Sequence, residues 1–504
     1  MNKTLKKRMD CLFNPESIAV IGASSVPGKW GFNTYVQILG TSLGKRKIFP
    51  VNNKTEEVLG QKTYSRITDI PEPVDFAVII VPYLHVPQVM QDCVAHGVKS
   101  ALVITAGLGE VGEEGKRLER EVVRIAQQGG IRFVGPNCMG HFDTASGFYT
   151  TGWGQPLKQG NLSLVAQSGG FTGHLMQCGM DMGVGFNKLV SSGNEADLHT
   201  EDYLEYYAQD PNTKVIGAYV EGFREGGRFL KLARETSKKK PLVIMKVGRT
   251  PTGSLAARSH TGALSGSDAV CDAALKQSGV IRADEIEELF DISGALLRQP
   301  LPRGNRVGIL TGGGGHGVVT TDACERLGLQ LAKLAPETID KIDTFLPPRW
   351  SKKNPVDLVG TTQFVTYQCL WPIIEDDNVD SVIVVGCIGL SAMFKVFRDR
   401  LGSQIEPFLQ TMPDSVKQQA EVAMQGMDVM EEEELRNIDI MLDYMDRYQK
   451  PIIIIGLMAT HEAKDTPVFK KLEENGILWY PTPERAAKVV GHLVQYSRHI
   501  RNSH

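Results

Sequence analysis

The sequence predicts an α/β protein built on parallel sheets. A short β-branched run, then glycine or proline, then a helical pattern recurs along the chain, the signature of βα units. Glycine is abundant, with 52 residues, and many sit in tight loops after apolar runs. At roughly 150 residues per domain, 504 residues suggest about three domains.

The first predicted strands cover 17–21 (then Gly22), 47–51, 76–81 (then Pro82) and 101–105 (then Gly107). Further strands are expected at 162–166 (then Gly169), 215–220, 242–247, 307–310, 381–385 and 452–455. Ligands of such sheets bind beyond the carboxyl ends of the strands, so the chemistry is expected in those loops. Three blocks follow: 1–148, 149–300 and 301–504. The second closes with a helical stretch at 284–298, and Gln299-Pro-Leu-Pro-Arg-Gly304 reads as a linker. The second and third open alike, with Asn161-Leu-Ser-Leu-Val-Ala-Gln-Ser-Gly-Gly170 beside Asn305-Arg-Val-Gly-Ile-Leu-Thr-Gly-Gly-Gly314. Residues 414–448 are helical in pattern, Met-rich and acidic, and are read as an insertion forming a solvated helix pair.

Composition narrows the function. Hydrophobic residues at 42% and charged residues at 22% fit a soluble globular protein. A net charge of −3 gives no basic excess for nucleic acid. Lys3, Lys6, Lys7 and Arg8 are not followed by an apolar signal region, and no apolar run is long enough to span a membrane. The 8 cysteines form no CxxC and no zinc spacing. Reduced thiols, a cytoplasmic location and no structural metal are the expectation.

The run 17–21 enters Gly22-Ala-Ser-Ser-Val-Pro-Gly-Lys-Trp-Gly31. Glycine there lets backbone approach a phosphate, and the next helix N-terminus offers free N–H groups. The loop is neither a clean GxGxxG, since Ser24 replaces the second glycine, nor a Walker A motif. A nucleotide-like ligand and a purely structural turn both remain open. The second strand ends in Asn52-Asn53-Lys54, without the acidic residue that holds a nicotinamide ribose. Lys54 suits an extra phosphate, as on CoA or NADP.

Several motifs together resemble one family. They are 17–22 with Pro27-Gly28-Lys29, Val81-Pro82, Thr105-Ala-Gly107 with Glu110, and Gly135-Pro-Asn-Cys-Met-Gly140. Ala166-Gln-Ser-Gly-Gly170, Val190-Ser-Ser-Gly-Asn-Glu195, Tyr219-Val-Glu221 and Ser259-His-Thr-Gly-Ala-Leu-Ser-Gly-Ser267 continue the match. Thr311-Gly-Gly-Gly-Gly315 and Asn354-Pro-Val-Asp-Leu358 complete it. This order is similar to the α subunit of the ADP-forming acetate–CoA ligases, in the succinyl-CoA synthetase superfamily. Where that family commonly has Val-Asn-Pro, this chain has Val51-Asn52-Asn53.

The resemblance implies an N-terminal Rossmann-like CoA-binding domain followed by two flavodoxin-like parallel-sheet domains. It implies CoA contacts at Gly22, Ser24, Pro27, Gly28, Lys29, Val51, Lys54, Val81, Pro82, Thr105, Ala106 and Asn137. It implies that ATP phosphorylates His260, that phosphohistidine converts a carboxylate to an acyl phosphate, and that CoA thiolate displaces phosphate. Imidazole is nucleophilic near neutral pH, and a Gly/Ser/Thr-rich loop suits a group that faces two sites in turn. Gln167, Ser168, Gly169 and Gly170 open a helix whose N-terminus would hold phosphate, with Ser168 as a natural N-cap. Glu221 would fix the His260 tautomer, and Ser192, Gly193 and Asn194 would line the substrate cleft.

His174 is read as structural. His316 after its glycines, and Arg258 beside His260, are weaker phosphate candidates. The family implies an ATP-grasp β subunit in an α₂β₂ assembly, with ATP/ADP and Mg²⁺ held mainly by that partner. The substrates would be a carboxylate or acyl-CoA, and phosphate. Two other function classes are a non-catalytic CoA- or acyl-CoA-sensing module and an NAD(P)-binding oxidoreductase. The latter leaves 259–267 unexplained, and the acyl group is not readable from these residues.

Overall fold

The computed structural model describes residues 1–151, 157–255, 267–361, 364–396, 400, 411–456 and 463–503. His260 and Arg258 lie outside the described residues, as does most of the 259–267 motif. Two compact units divide the chain, Met1–Ser293 and Gly294–His504.

In the first unit, β1 (Ser17–Ile21), β2 (Lys47–Val51), β5 (Phe76–Ile79), β6 (Ser100–Val103) and β7 (Arg132–Val134) form a parallel sheet. A hairpin of β3 (Glu57–Val58) and β4 (Gln61–Lys62) stands apart from it. The order β2-β1-β5-β6-β7 reverses between β1 and β5, the switch point where such sheets open a crevice. Ile18, Ala19 and Val20 are fully buried, as a strand covered by helices on both faces requires.

A second sheet contains β8 (Gly140–Asp143), β9 (Phe148–Tyr149), β10 (Gln159–Ala166), β11 (Phe186–Ser191), β12 (Val215–Val220), β13 (Leu242–Lys246) and β14 (Ile281–Ala283). Its order is β14-β13-β12-β10-β11-β8-β9. The five strands from β10 onward are parallel, while β8 and β9 add antiparallel pairs on one edge. The chain thus enters the second sheet directly after β7. Here the switch point lies between β10 and β12, so Gln167 and Glu221 follow the two strands that flank it.

In the second unit, β15 (Arg306–Thr311), β16 (Gln330–Leu331), β17 (Val356–Asp357), β18 (Ser381–Val385), β19 (Ile452–Ile455) and β20 (Trp479–Tyr480) form a third parallel sheet. The similar openings of 161–170 and 305–314 carry into structure. Asn161 and Asn305 each donate a side-chain N–H to a turn carbonyl, of Asn212 and Gly328, at 2.8 Å.

Residues 414–448 depart from the sequence expectation. They form one helix, Asp414–Tyr448, not a pair, and its second half is core rather than solvated. Ile438, Met441 and Met445 are buried on one face, and Tyr444 packs on Trp371 with ring centroids 4.7 Å apart. Acidic composition hid this because one acid of the Glu431–Glu434 run, Glu434, is itself buried. Its carboxylate accepts from the N–H groups of Gly389 (2.6 Å) and Ser391 (3.1 Å).

Candidate active site

The loops at the carboxyl ends of the first two sheets of the first unit enclose a cavity of about 640 Å³. Val81, Pro82, Thr105, Ala106 and Asn137 line it from the first sheet. Gln167, Ser168, Gly169 and Gly170 line it from the loop after β10, and Gly193 and Asn194 from the loop after β11. Residues predicted for CoA, for phosphate and for the substrate cleft therefore share one space.

The CoA-side wall is held by hydrogen bonds between loops. Thr105 Oγ1 donates to the carbonyl of Val81 at 2.8 Å, and the Asn137 N–H donates to the carbonyl of Thr105 at 3.0 Å. Asn137 has a left-handed backbone (φ 56°), which asparagine tolerates better than most residues.

Other predicted CoA residues stand outside this lining. Gly22 has φ +96°, and a Cβ there would lie 2.0 Å from the Ile80 carbonyl oxygen, so only glycine lets β1 pass β5 this closely. Its N–H donates to the carbonyl of Val51, which is buried. Ser24 Oγ accepts the N–H of Val26 at 3.1 Å. Pro27, Gly28, Lys29 and Lys54 are exposed. Asn52, the position that keeps the family's asparagine, has a structural use. Its Nδ2 donates to the carbonyl of Ala23 at 2.8 Å, and its Oδ1 accepts the Lys54 N–H at 2.8 Å.

Ser168 occupies the N-cap of helix Gly169–Asp181 as expected, but its hydroxyl makes no capping bond. Gly170 has open space where a Cβ would stand. The first-turn N–H groups of this helix thus meet the cavity as an anion-favouring end. The Gln167 side chain turns the other way and is engaged within the protein. Its Oε1 accepts the N–H of Glu221 at 2.7 Å, and its Nε2 donates to Glu195 Oε2 at 2.9 Å.

Glu221 (5% exposed) lies behind the cavity wall at the end of β12, and Ser192 is fully buried. Ser192 Oγ donates to Glu195 Oε1 at 2.7 Å. Burial raises the Glu195 pKa above the usual carboxylate range, against the donors that lower it. Burial also pushes the Cys138 thiol, in the cavity wall, up to about 12, so it is no nucleophile near neutral pH. His174 is exposed and stacks on Phe171. His316 is exposed in the second unit, in the first turn of helix Gly314–Arg326.

Sequence reasoning missed Trp30, Ile80, Tyr83 and Ile104 in the lining. Apolar residues near strand and helix ends carry no pattern that separates them from core. Among the described residues no group of three or more His, Cys, Asp or Glu is placed to hold a metal ion.

Three family models match: a CoA binding domain over 16–142, a succinyl-CoA ligase like flavodoxin domain over 159–296, and a ligase-CoA domain over 307–399. The chain is 42% identical over 378 residues to the acetate–CoA ligase [ADP-forming] II subunit alpha of Pyrococcus furiosus, covering 75% of this chain and 82% of that one. It is 37% identical over 498 residues to the I subunit alpha of the same organism, covering 97% and 98%. Among solved structures it resembles the dinucleotide forming acetyl-coenzyme A synthetase 1 of Candidatus Korarchaeum cryptofilum, in complex with phosphate and ADP. That match has 33% identity and a TM-score of 0.81, and covers 98% of each chain.

Proposed function

The chain belongs to the family of ADP-forming acetate–CoA ligases, as an alpha subunit, and from that premise we propose how its residues divide the reaction. It is an acid–thiol ligase subunit, interconverting acyl-CoA, ADP and phosphate with carboxylic acid, CoA and ATP. The sensing-module and oxidoreductase readings lose their support.

The observation that carries the proposal is the shared cavity, where the CoA-side loops face the uncapped helix end at 168–170. CoA enters against Val81, Pro82, Thr105, Ala106 and Asn137, with its phosphates toward the exposed loop of Gly22, Ser24, Pro27, Gly28, Lys29 and Lys54. Phosphate sits at the N–H groups following Ser168. His260 takes the γ-phosphoryl group of ATP on one ring nitrogen and releases ADP. The phosphoryl group moves to the carboxylate oxygen. The CoA thiolate then attacks the acyl carbon, the C–S bond forms, and phosphate leaves with the C–O bond electrons. Glu221 holds the opposite ring nitrogen of His260 and so fixes the attacking tautomer. Ser192, Gly193 and Asn194 shape the cleft.

Residues 1–148 carry CoA, 149–300 the phosphohistidine loop, and 301–504 the second flavodoxin-like domain. An ATP-grasp β partner brings nucleotide with its Mg²⁺, in an α₂β₂ assembly. The reading places the enzyme in the cytoplasm. Among the described residues no helix is long and apolar enough to cross a membrane. Calorimetric titration of the purified chain tests the reading. It expects CoA to bind and NADH and NADPH not to. Dinucleotide binding without CoA binding would overturn it.

A further inference from the structure

We propose that Gln167 is a positioning residue for Glu221, not a phosphate ligand, and that Glu195 buttresses the far edge of its amide. The inference rests on the reading of Glu221 as the carboxylate that orients His260.

Gln167 is 7% exposed. Its Oε1 accepts two N–H groups, of Glu221 at 2.7 Å and Gly222 at 3.1 Å. Its Nε2 donates to the carbonyl of Gly222 at 2.8 Å and to Glu195 Oε2 at 2.9 Å, with Thr200 Oγ1 a longer neighbour at 3.2 Å. An amide side chain has two N–H donors and one oxygen with two lone pairs. Both ends are therefore saturated, and no capacity remains for a phosphate in the cavity. The amide pairs with both the N–H and the carbonyl of Gly222, as a neighbouring strand would. It extends the β10–β12 pairing by one step beyond the last strand residues, Ala166 and Val220, and fixes the backbone that carries Glu221.

The amide could satisfy this pairing only one way round. A flip would turn its oxygen toward Glu195, whose carboxylate already accepts from Ser192 Oγ (2.7 Å) and Thr200 Oγ1 (2.6 Å). The N–H groups of Glu221 and Gly222 can only donate and the Gly222 carbonyl can only accept, so the backbone fixes which edge carries the N–H₂, and the Glu195 carboxyl receives its second N–H. Glu195 has φ 53°, and it is held at this left-handed position while its side chain points to that network.

The test is steady-state kinetics of the assembled ligase in the ATP-forming direction, with phosphate and CoA varied. Q167L removes the amide at similar size, and Q167M supplies the same comparison should Q167L fail to assemble. The expected result is a kcat loss on the order of 100-fold, as for a small misplacement of a reacting group, with the phosphate KM within about twofold. In an E221Q background, Q167L should cost less than about threefold more, because both act through one carboxylate. E195Q should lower kcat in the same way. A phosphate KM raised about tenfold at unchanged kcat would overturn the proposal. So would losses that multiply in the double variant, while an impaired E221Q would leave the underlying reading standing. Full kcat in E221Q would overturn both.

Discussion

The Asn137 side chain donates to Asn194 Oδ1 at 3.2 Å, and Asn194 Nδ2 donates in turn to Glu110 at 2.6 Å and Glu119 at 3.1 Å. One asparagine after β11 thus ties the loops of the first sheet to those of the second. Asn194→Ala leaves part-buried carboxylates short of donors. It should lower unfolding stability by about 1–3 kcal/mol and weaken CoA binding, measured by urea titration and calorimetry. Unchanged CoA affinity would separate this tie from the CoA site.

Gly193 and Gly40 should respond oppositely to alanine. Gly193 has φ +63°, and a Cβ would lie 2.3 Å from the Pro136 carbonyl oxygen. Gly193→Ala should cost more than about 2 kcal/mol and displace the Asn137 turn. Gly40, within helix Trp30–Ser42, has open space at its Cβ. Gly40→Ala should stabilise by about 0.5–1 kcal/mol. Thermal melts of both variants check the contrast.

His141 makes the first unit acid-sensitive. It is fully buried, Nε2 lies 2.8 Å from the Leu12 carbonyl oxygen, and burial pushes its pKa down from 6.5 to about 3. The unfolded chain binds the proton that the folded chain refuses. Stability is therefore complete above about pH 6.5 and is lost as pH falls toward about 3. From pH 7 to 5 the loss should be about 2 kcal/mol. His141→Gln keeps a donor without the titration and should flatten that slope in urea titrations at the two pH values.

Glu434 should anchor the long helix. Its carboxylate accepts the Gly389 and Ser391 N–H groups, and Glu434→Ala strands these buried donors. The cost should be about 1–3 kcal/mol, with faster hydrogen exchange in 434–448 and 389–396. Unchanged exchange would mean that Ile438, Met441 and Met445 hold the helix alone.

Strands with strong β-branched runs were legible because a parallel sheet buried on both faces demands them, as at 17–21 and 452–455. The ends were less so. Thr311 continues β15 past the predicted 310, and the run 76–81 ends as strand at Ile79. Glycine loops located the cavity, since close approach excludes other residues, as Gly193 in its lining shows. Side-chain direction was not legible. Gln167 stands in a phosphate-like motif, yet its amide faces Glu195 and Gly222 through a network assembled from residues far apart in sequence. The helix 414–448 was misjudged for a related reason, because a buried acid such as Glu434 looks solvated until its donors are placed.

Phosphoryl transfer through His260 is the step on which the proposed reaction turns. The assembled ligase, incubated with ATP labelled at the γ position, is quenched in alkali and its peptides are mapped. The account predicts acid-labile, alkali-stable label on the peptide bearing His260, discharged by added ADP and absent in His260→Ala. Acyl-CoA formation with AMP release and no labelled peptide would contradict it.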